Sequence, residues 1–125
     1  MKILLVQSYL GNAESPVFPL GLACLTPTLA GHEVRVFDPN TSTRPFEDLR
    51  KELWDFQPQI VGISVRNIDS TNKRKVVFYY PYLKDAVAAV KETSAAKIVV
   101  GGSGFSMFAR EILDDLPAID FGLFL

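Results

Sequence analysis

The chain has 125 residues, 48% of them hydrophobic and 22% charged, with 13 basic side chains against 14 acidic ones. This composition describes one folded domain spanning residues 1–125, able to bury about two-thirds of the surface its unfolded chain exposes. A net charge of -1 leaves no global footprint for nucleic acid or an anionic membrane. A single cysteine, Cys24, and a single histidine, His32, exclude an internal disulfide, a multi-cysteine zinc site, a chain-borne iron–sulfur cluster and any two-imidazole site.

The opening Met1-Lys2-Ile3-Leu4-Leu5-Val6 turns polar at Gln7-Ser8, too soon for a secretory signal. No apolar run approaches the ~20 residues of a membrane-spanning helix. The expected location is cytoplasmic, where a free thiol is ordinary. Residues 2–7 read as a first strand, followed by a loop, Ser8 to Pro16, that is long for a strand-to-helix turn. A first helix is predicted from about Leu20 to Ala30, with Pro27 predicting a kink or a short helix and Gly31 a C-terminal cap. A second strand is predicted at residues 33–37, then a helix whose apolar face is Phe46, Leu49, Leu53 and Phe56. The third strand, residues 60–65, leads into a long loop from Arg66 through Lys73-Arg74-Lys75. Leu83, Ala86, Val87 and Val90 mark the third helix, residues 97–100 the fourth strand, Phe108, Ile112 and Leu116 the fourth helix, and residues 119–123 the fifth strand.

The near-continuous Ile, Val and Leu of these strands predict a parallel sheet covered on both faces. The order βαβαβαβαβ, with right-handed crossovers, predicts an α/β fold: a doubly wound, flavodoxin-like three-layer sandwich whose five parallel strands run 2-1-3-4-5. The last residues, Asp120-Phe121-Gly122-Leu123-Phe124-Leu125, end in apolar sequence, which predicts a piece of a longer chain.

In such a sheet the ligand crevice lies outside the C-terminal strand ends, where strand order reverses. Three loops meet there: Ser8-Tyr9-Leu10-Gly11 and its continuation, Val65-Arg66-Asn67 and its continuation, and Gly101-Gly102-Ser103-Gly104. Three glycines in four positions let backbone approach a ligand closely, and equally suit a tight turn before a helix. They do not form a dinucleotide fingerprint, because Met107 stands where the third glycine belongs and the cluster follows the fourth strand. His32 falls at the opposite edge, where a turn role outweighs ligation. Asp38 reads as a cap, Asp114-Asp115 as surface, Cys24 as packing inside the first helix and Lys73-Arg74-Lys75 as solvated loop. The aromatic stretch from Val76 to Tyr82 suits core and helix start or the cover of a flat ligand about equally.

Gly62-Ile63-Ser64-Val65-Arg66-Asn67-Ile68-Asp69 is similar to a segment of the N-terminal cobalamin-binding domains of cobalamin-dependent radical S-adenosylmethionine enzymes. Pro19-Leu20-Gly21-Leu22-Ala23 with Gly31-His32-Glu33-Val34 resembles their first helix and turn. Val100 to Ser106 resembles the stretch after their fourth strand, and Ile119-Asp120-Phe121-Gly122 their fifth. The resemblance implies cobalamin across the strand ends, with its nucleotide tail base-off in the crevice. Ser64 matches the serine that faces the dimethylbenzimidazole, and Gly101-Gly102 match the glycine pair beside which the tail passes. Arg66 and Asn67 would offer polar contacts near the corrin. The cofactor-binding set implied is Ser8, Tyr9, Leu10, Gly11, Ser64, Val65, Arg66, Asn67, Gly101, Gly102, Ser103 and Gly104, with no catalytic residue and no metal ligand from the chain.

Many cobalamin domains carry Asp-x-His-x-x-Gly after the first strand, whereas the loop here has no histidine, as is usual in the radical enzymes. Pro27 and the final Phe124-Leu125, where the family commonly continues Gly-Glu-Gly-Glu, are further departures. The resemblance also implies a parent methyltransferase in which cobalamin relays a methyl group from S-adenosylmethionine. Its iron–sulfur cluster would belong to a missing C-terminal radical domain, and neither nucleic acid nor membrane would be a partner. Two alternatives stand beside it. A flavodoxin-like flavin domain would use Ser8, Gly11, Asn12 and Ser15 for the flavin phosphate. A cofactor-free interaction module also stays open, but receiver chemistry is disfavoured because Gln7-Ser8 and Ser64-Val65 replace the needed acids.

Overall fold

The structure is a computed structural model that describes residues 1–12 and 14–125. Four consecutive apolar residues, Ile3, Leu4, Leu5 and Val6, cannot alternate between core and water, and β1 (Lys2–Gln7) accordingly buries all four. It lies inside a five-stranded sheet of order β2-β1-β3-β4-β5, with β2 at Glu33–Phe37, β3 at Ile60–Ser64, β4 at Lys97–Gly101 and β5 at Phe121–Gly122. Every strand pairing is parallel. The α/β fold and its strand order are those predicted from the sequence.

Coverage of the sheet is uneven, which corrects the expectation of strands buried on both faces. One face carries Leu4, Val6, Val61, Ile63, Ile98 and Val100. It packs under α2 (Pro45–Phe56) and α3 (Tyr80–Thr93), and under Phe105 and Ile112 from the helices after β4. The other face has a small cluster, Ile3, Leu5 and Leu22, with Leu29, Val34 and Ile60 packed on it. Its cover is α1 (Leu20–Leu25) and one 3-10 turn, Thr26–Leu29. Pro27 lies inside that turn, so the predicted short helix is what forms, and Gly31 follows it with φ +92°. β3 and β4 alternate buried and half-exposed residues as a result, and on the edge strands Val36 is 42% and Phe121 59% exposed.

Two further expectations are corrected. The fifth strand pairs over Phe121–Gly122 alone, opposite Val99 and Val100. The predicted fourth helix is two short ones, α4 (Ser103–Met107) and α5 (Ala109–Asp115). Between them Phe108 has φ -133°; its amide closes α4 on Phe105, and its carbonyl accepts from Ile112 to open α5. Among the described residues no helix is long and apolar enough to cross a membrane.

Candidate functional site

Register brings the ends of three strands to one line: Gln7 of β1 lies beside Ser64 of β3, and Ser64 beside Gly101 of β4. Just past that line a cleft of about 540 Å³ opens on the thinly covered face. Its floor and one side are polar, formed by Gln7, Ser64, Arg66, Gly102 and Ser103. The facing wall is residues 17–22, where Phe18 is 72% and Leu20 65% exposed.

The polar side is held by backbone. Val65 donates from its amide to the Gly101 carbonyl at 2.7 Å, and the Gly104 amide donates to Val65 at 2.9 Å. The Ser103 hydroxyl donates to the Arg66 carbonyl at 2.8 Å. Glycine is required at two points of this joint. Gly102 has φ +104°, and a β-carbon there would stand 2.5 Å from the Val65 carbonyl oxygen. A β-carbon on Gly104 would stand 3.0 Å from the Arg66 backbone. The glycine cluster therefore serves first to bring two loops of the protein together, and Gly102 alone of its glycines lines the cleft.

The first loop turns the other way. The Asn40 side-chain amide donates to the Ser8 carbonyl at 3.0 Å and accepts from the Leu10 amide at 2.8 Å. This is the pattern one parallel strand makes around a residue of its neighbour, so Asn40 extends the β2–β1 ladder past Phe37 by a side chain. Tyr9 packs edge-on against Phe46 and Tyr82, at centroid distances of 5.8 and 4.9 Å. Gly11, at φ +72°, lies so close to Tyr82 that a β-carbon would come within 3.1 Å of its hydroxyl. Of the residues expected at the site, the structure brings Ser64, Arg66, Gly102 and Ser103 to the cleft lining. Ser8, Tyr9, Leu10, Gly11, Val65, Asn67, Gly101 and Gly104 are not part of that lining, though Val65, Gly101 and Gly104 make the backbone bonds that join the two loops beside it. Gln7 and the wall at residues 17–22 are additions. The signal for the wall was present in Val17-Phe18-Pro19-Leu20, an apolar run placed before a helix instead of inside one.

Other candidates find structural roles. Asp38 caps the 3-10 turn Pro39–Thr41 by accepting from the Asn40 amide at 3.0 Å. His32 lies at the N-terminal edge, its Nδ1 3.2 Å from the Met1 amino nitrogen. Cys24 is exposed on α1, contrary to its expected packing role, because α1 buries only Leu22. Asp115 accepts from Tyr80 at 2.6 Å and pairs with Lys84 at 2.8 Å. Lys73, Arg74 and Lys75 are exposed on a hairpin-like excursion closed by the Asp69–Phe78 bridge. Within the aromatic stretch Tyr80 begins α3, Val76 and Phe78 are exposed, and Tyr79 is buried, its phenol pushed up to about 12, chiefly by burial, with the Glu14 carboxylate adding to it. Phe78 and Tyr80 border a separate apolar hollow of about 410 Å³ together with Ile68, Phe108 and Ile112.

The donor set suits a large neutral or anionic group. Amide, hydroxyl and guanidinium groups line one side, apolar side chains the other, and no carboxylate is among them. The described residues contain no cluster of three His, Cys, Asp or Glu side chains able to hold a bare ion. A β-carbon on Gly21, within the wall, would meet no atom within 4 Å, so the cleft is open on that flank.

The B12 binding domain family matches residues 6–125, and the chain belongs to that family. A tryptophan 2-C-methyltransferase of Streptomyces laurentii is 30% identical over 105 residues, which is 79% of this chain and 17% of that protein. The radical S-adenosylmethionine methyltransferase TsrM of Kitasatospora setae, solved with tryptophan substrate and an S-adenosylmethionine analogue, superposes with TM-score 0.82 at 24% identity, over 93% of this chain and 22% of that one. Its structure with cobalamin and an iron–sulfur cluster gives TM-score 0.80 at 24% identity, over 93% and 21%. At that identity the likeness is one of fold. The chain spans 17% of the length of the curated relative it matches.

Proposed function

We propose that this chain holds cobalamin base-off in the cleft, with no histidine of its own beneath the cobalt, as the cofactor domain of a radical S-adenosylmethionine methyltransferase. The observation that carries the reading is the cleft itself, in a B12-binding chain, opening where Gln7, Ser64 and Gly101 come into line. Ser64 and Ser103 offer hydroxyls, Arg66 a cation for amide oxygens or phosphate, and Phe18 and Leu20 an apolar surface for a flat ring. Val65, Gly101 and Gly104 keep the polar side in place through backbone bonds, Asn67 would reach the cofactor from the same loop, and Ser8, Tyr9, Leu10 and Gly11 would approach it from the loop that leaves β1. His32, the one imidazole, is committed at the far edge of the sheet beside Met1. When bound, cobalamin supplies a cobalt able to accept and hand on a methyl group.

The cluster, S-adenosylmethionine and the substrate would be held by a C-terminal radical domain beyond this chain. The parent enzyme works in the cytoplasm on this reading, without a nucleic-acid or membrane partner. A flavin finds less support, because the Ser8 hydroxyl, needed for its phosphate, is buried, Gly11 lies against Tyr82, and the Asn12 side chain accepts from the Tyr9 hydroxyl.

Titration of the purified chain with hydroxocobalamin tests the reading. Saturable change in the visible spectrum, matched by calorimetric binding, is expected. After reduction to the Co(II) form, the paramagnetic resonance spectrum should lack splitting from an axial nitrogen. Absence of binding overturns the cofactor assignment, and nitrogen splitting overturns the base-off assignment alone.

A further inference from the structure

The two sides of the cleft are held very differently. The polar side hangs from backbone bonds between Val65 and Gly101 and between Gly104 and Val65. The apolar wall runs into the first turn of a six-residue helix, α1, that buries only Leu22. Pro16 and Pro19, on either side of Val17 and Phe18, have no amide proton to give. Among the described residues, one side-chain hydrogen bond ties the start of this wall to the sheet: the Gln7 Nε2 donates to the Val17 carbonyl at 2.8 Å. Gln7 is also the last residue of β1, paired with Ser64 and lining the same cleft.

We infer that Gln7 is the positioning residue of the cleft, its side-chain amide fastening the apolar wall at Val17 over the strand ends so that a ligand is gripped from both sides. The inference rests on the cobalamin reading for the identity of the ligand but not for the fastening. The far end of the wall is held by Leu22 packed on Ile3 and Leu5, so losing the one hydrogen bond at Val17 frees its near end, while the sheet beneath, built on Leu4, Val6, Val61 and Ile63, is untouched.

Three variants of the 125-residue chain separate the possibilities. Gln7→Met keeps the length and removes the donor, Gln7→Glu replaces the donor by an acceptor, and Gln7→Lys keeps a donor. Amide hydrogen exchange is read at Leu20 and Ala23, whose protons are bonded to Phe18 and Pro19 within the wall. Met and Glu variants should exchange there about tenfold faster, with the β1 and β3 amides unchanged. They should bind hydroxocobalamin about tenfold more weakly, and Gln7→Lys should recover both properties. Unchanged exchange at Leu20 and Ala23 overturns the fastening. Faster exchange with unchanged affinity overturns its role in gripping the ligand. If the unaltered chain takes up no cobalamin, the cofactor reading falls by itself, and exchange still decides whether Gln7 fastens the wall. If Gln7→Met does not fold, the Glu and Lys pair gives the same comparison.

Discussion

The Val65 carbonyl oxygen occupies the place where Gly102 would carry a β-carbon, 2.5 Å away. That carbonyl also accepts from the Gly104 amide, so it cannot swing aside without breaking the joint between the loops after β3 and β4. Gly102→Ala should therefore cost about 2 kcal/mol or more, combining a positive φ with a backbone clash. Gly21→Ala is the contrast: it lies in α1 with nothing near its β-carbon, and should be neutral or stabilising by up to about 1 kcal/mol. Urea unfolding of both variants checks the pair, and equal stabilities would refute the argument.

Asn40 should behave as backbone in disguise. Asn40→Asp keeps the shape and the bond from the Leu10 amide, but loses the donors to Ser8 and to Asp38. A second negative charge then faces Asp38. A loss of about 1–3 kcal/mol is expected at pH 7, recovering in part as the pH falls and the carboxylates protonate. Stability measured by denaturant at two pH values decides it; a loss independent of pH would show that charge plays no part.

Asp120 should contribute to the acid limb of stability. Its carboxylate accepts from Lys97 and Lys91 at 2.9 and 3.1 Å and from the Ile98 amide at 2.9 Å. Lys97 first, then the Ile98 amide and Lys91, hold its pKa far below the usual 3.8. A depressed folded-state pKa contributes stability that is complete above the unfolded value and is lost as pH falls from there toward the folded value. Asp120→Asn should lower the unfolding midpoint at pH 7, and the gap to the unaltered chain should shrink below about pH 4. A gap that stays constant down to pH 2 would show that these ion pairs add nothing.

Filling the cleft should separate binding from folding. Ser64→Leu places bulk between Gln7 and Gly101 on the half-covered face, where space is open. It should weaken hydroxocobalamin binding about tenfold or more while leaving the fold intact. Hydroxocobalamin at about 100 times its dissociation constant should stabilise the unaltered chain by about 2.7 kcal/mol. Calorimetry and thermal unfolding with and without the ligand measure both, and undiminished affinity in Ser64→Leu would remove Ser64 from the site.

The strands were legible because an apolar run such as Ile3-Leu4-Leu5-Val6, too short for a helix, reaches the core as a strand. α2 and α3 were legible because Leu49, Leu53, Leu83 and Val90 keep a helical period. Periodicity shows which side of an element is apolar, not whether another element covers it, so the thin layer over β3 and β4 was invisible. The break at Phe108 depends on a backbone turn that no residue type there demands. At the site, the loops expected after the third and fourth strands made Arg66, Gly102 and Ser103 legible together, and Ser64 entered through the family resemblance. The direction of the first loop was not, because it follows from the Asn40 amide and the Tyr9–Tyr82 contact between residues far apart in sequence. Gln7 was hidden because its partner is a carbonyl, which every residue possesses.

β1 pairs with β2 on one side and with β3 on the other, Ile3 lying opposite both Val34 and Ile60. The strand that begins the chain thus finds its second neighbour only after more than fifty intervening residues have been closed into a loop. Loop closure has an entropic cost before the contacts it permits give any return, and topologies of this kind fold slowly compared with helical bundles of equal size. During synthesis on the ribosome, Ile3, Leu4, Leu5 and Val6 remain without their full complement of partners until Ile60–Ser64 has emerged. The most completely buried strand of the finished domain is therefore also the one exposed longest while the domain is being made.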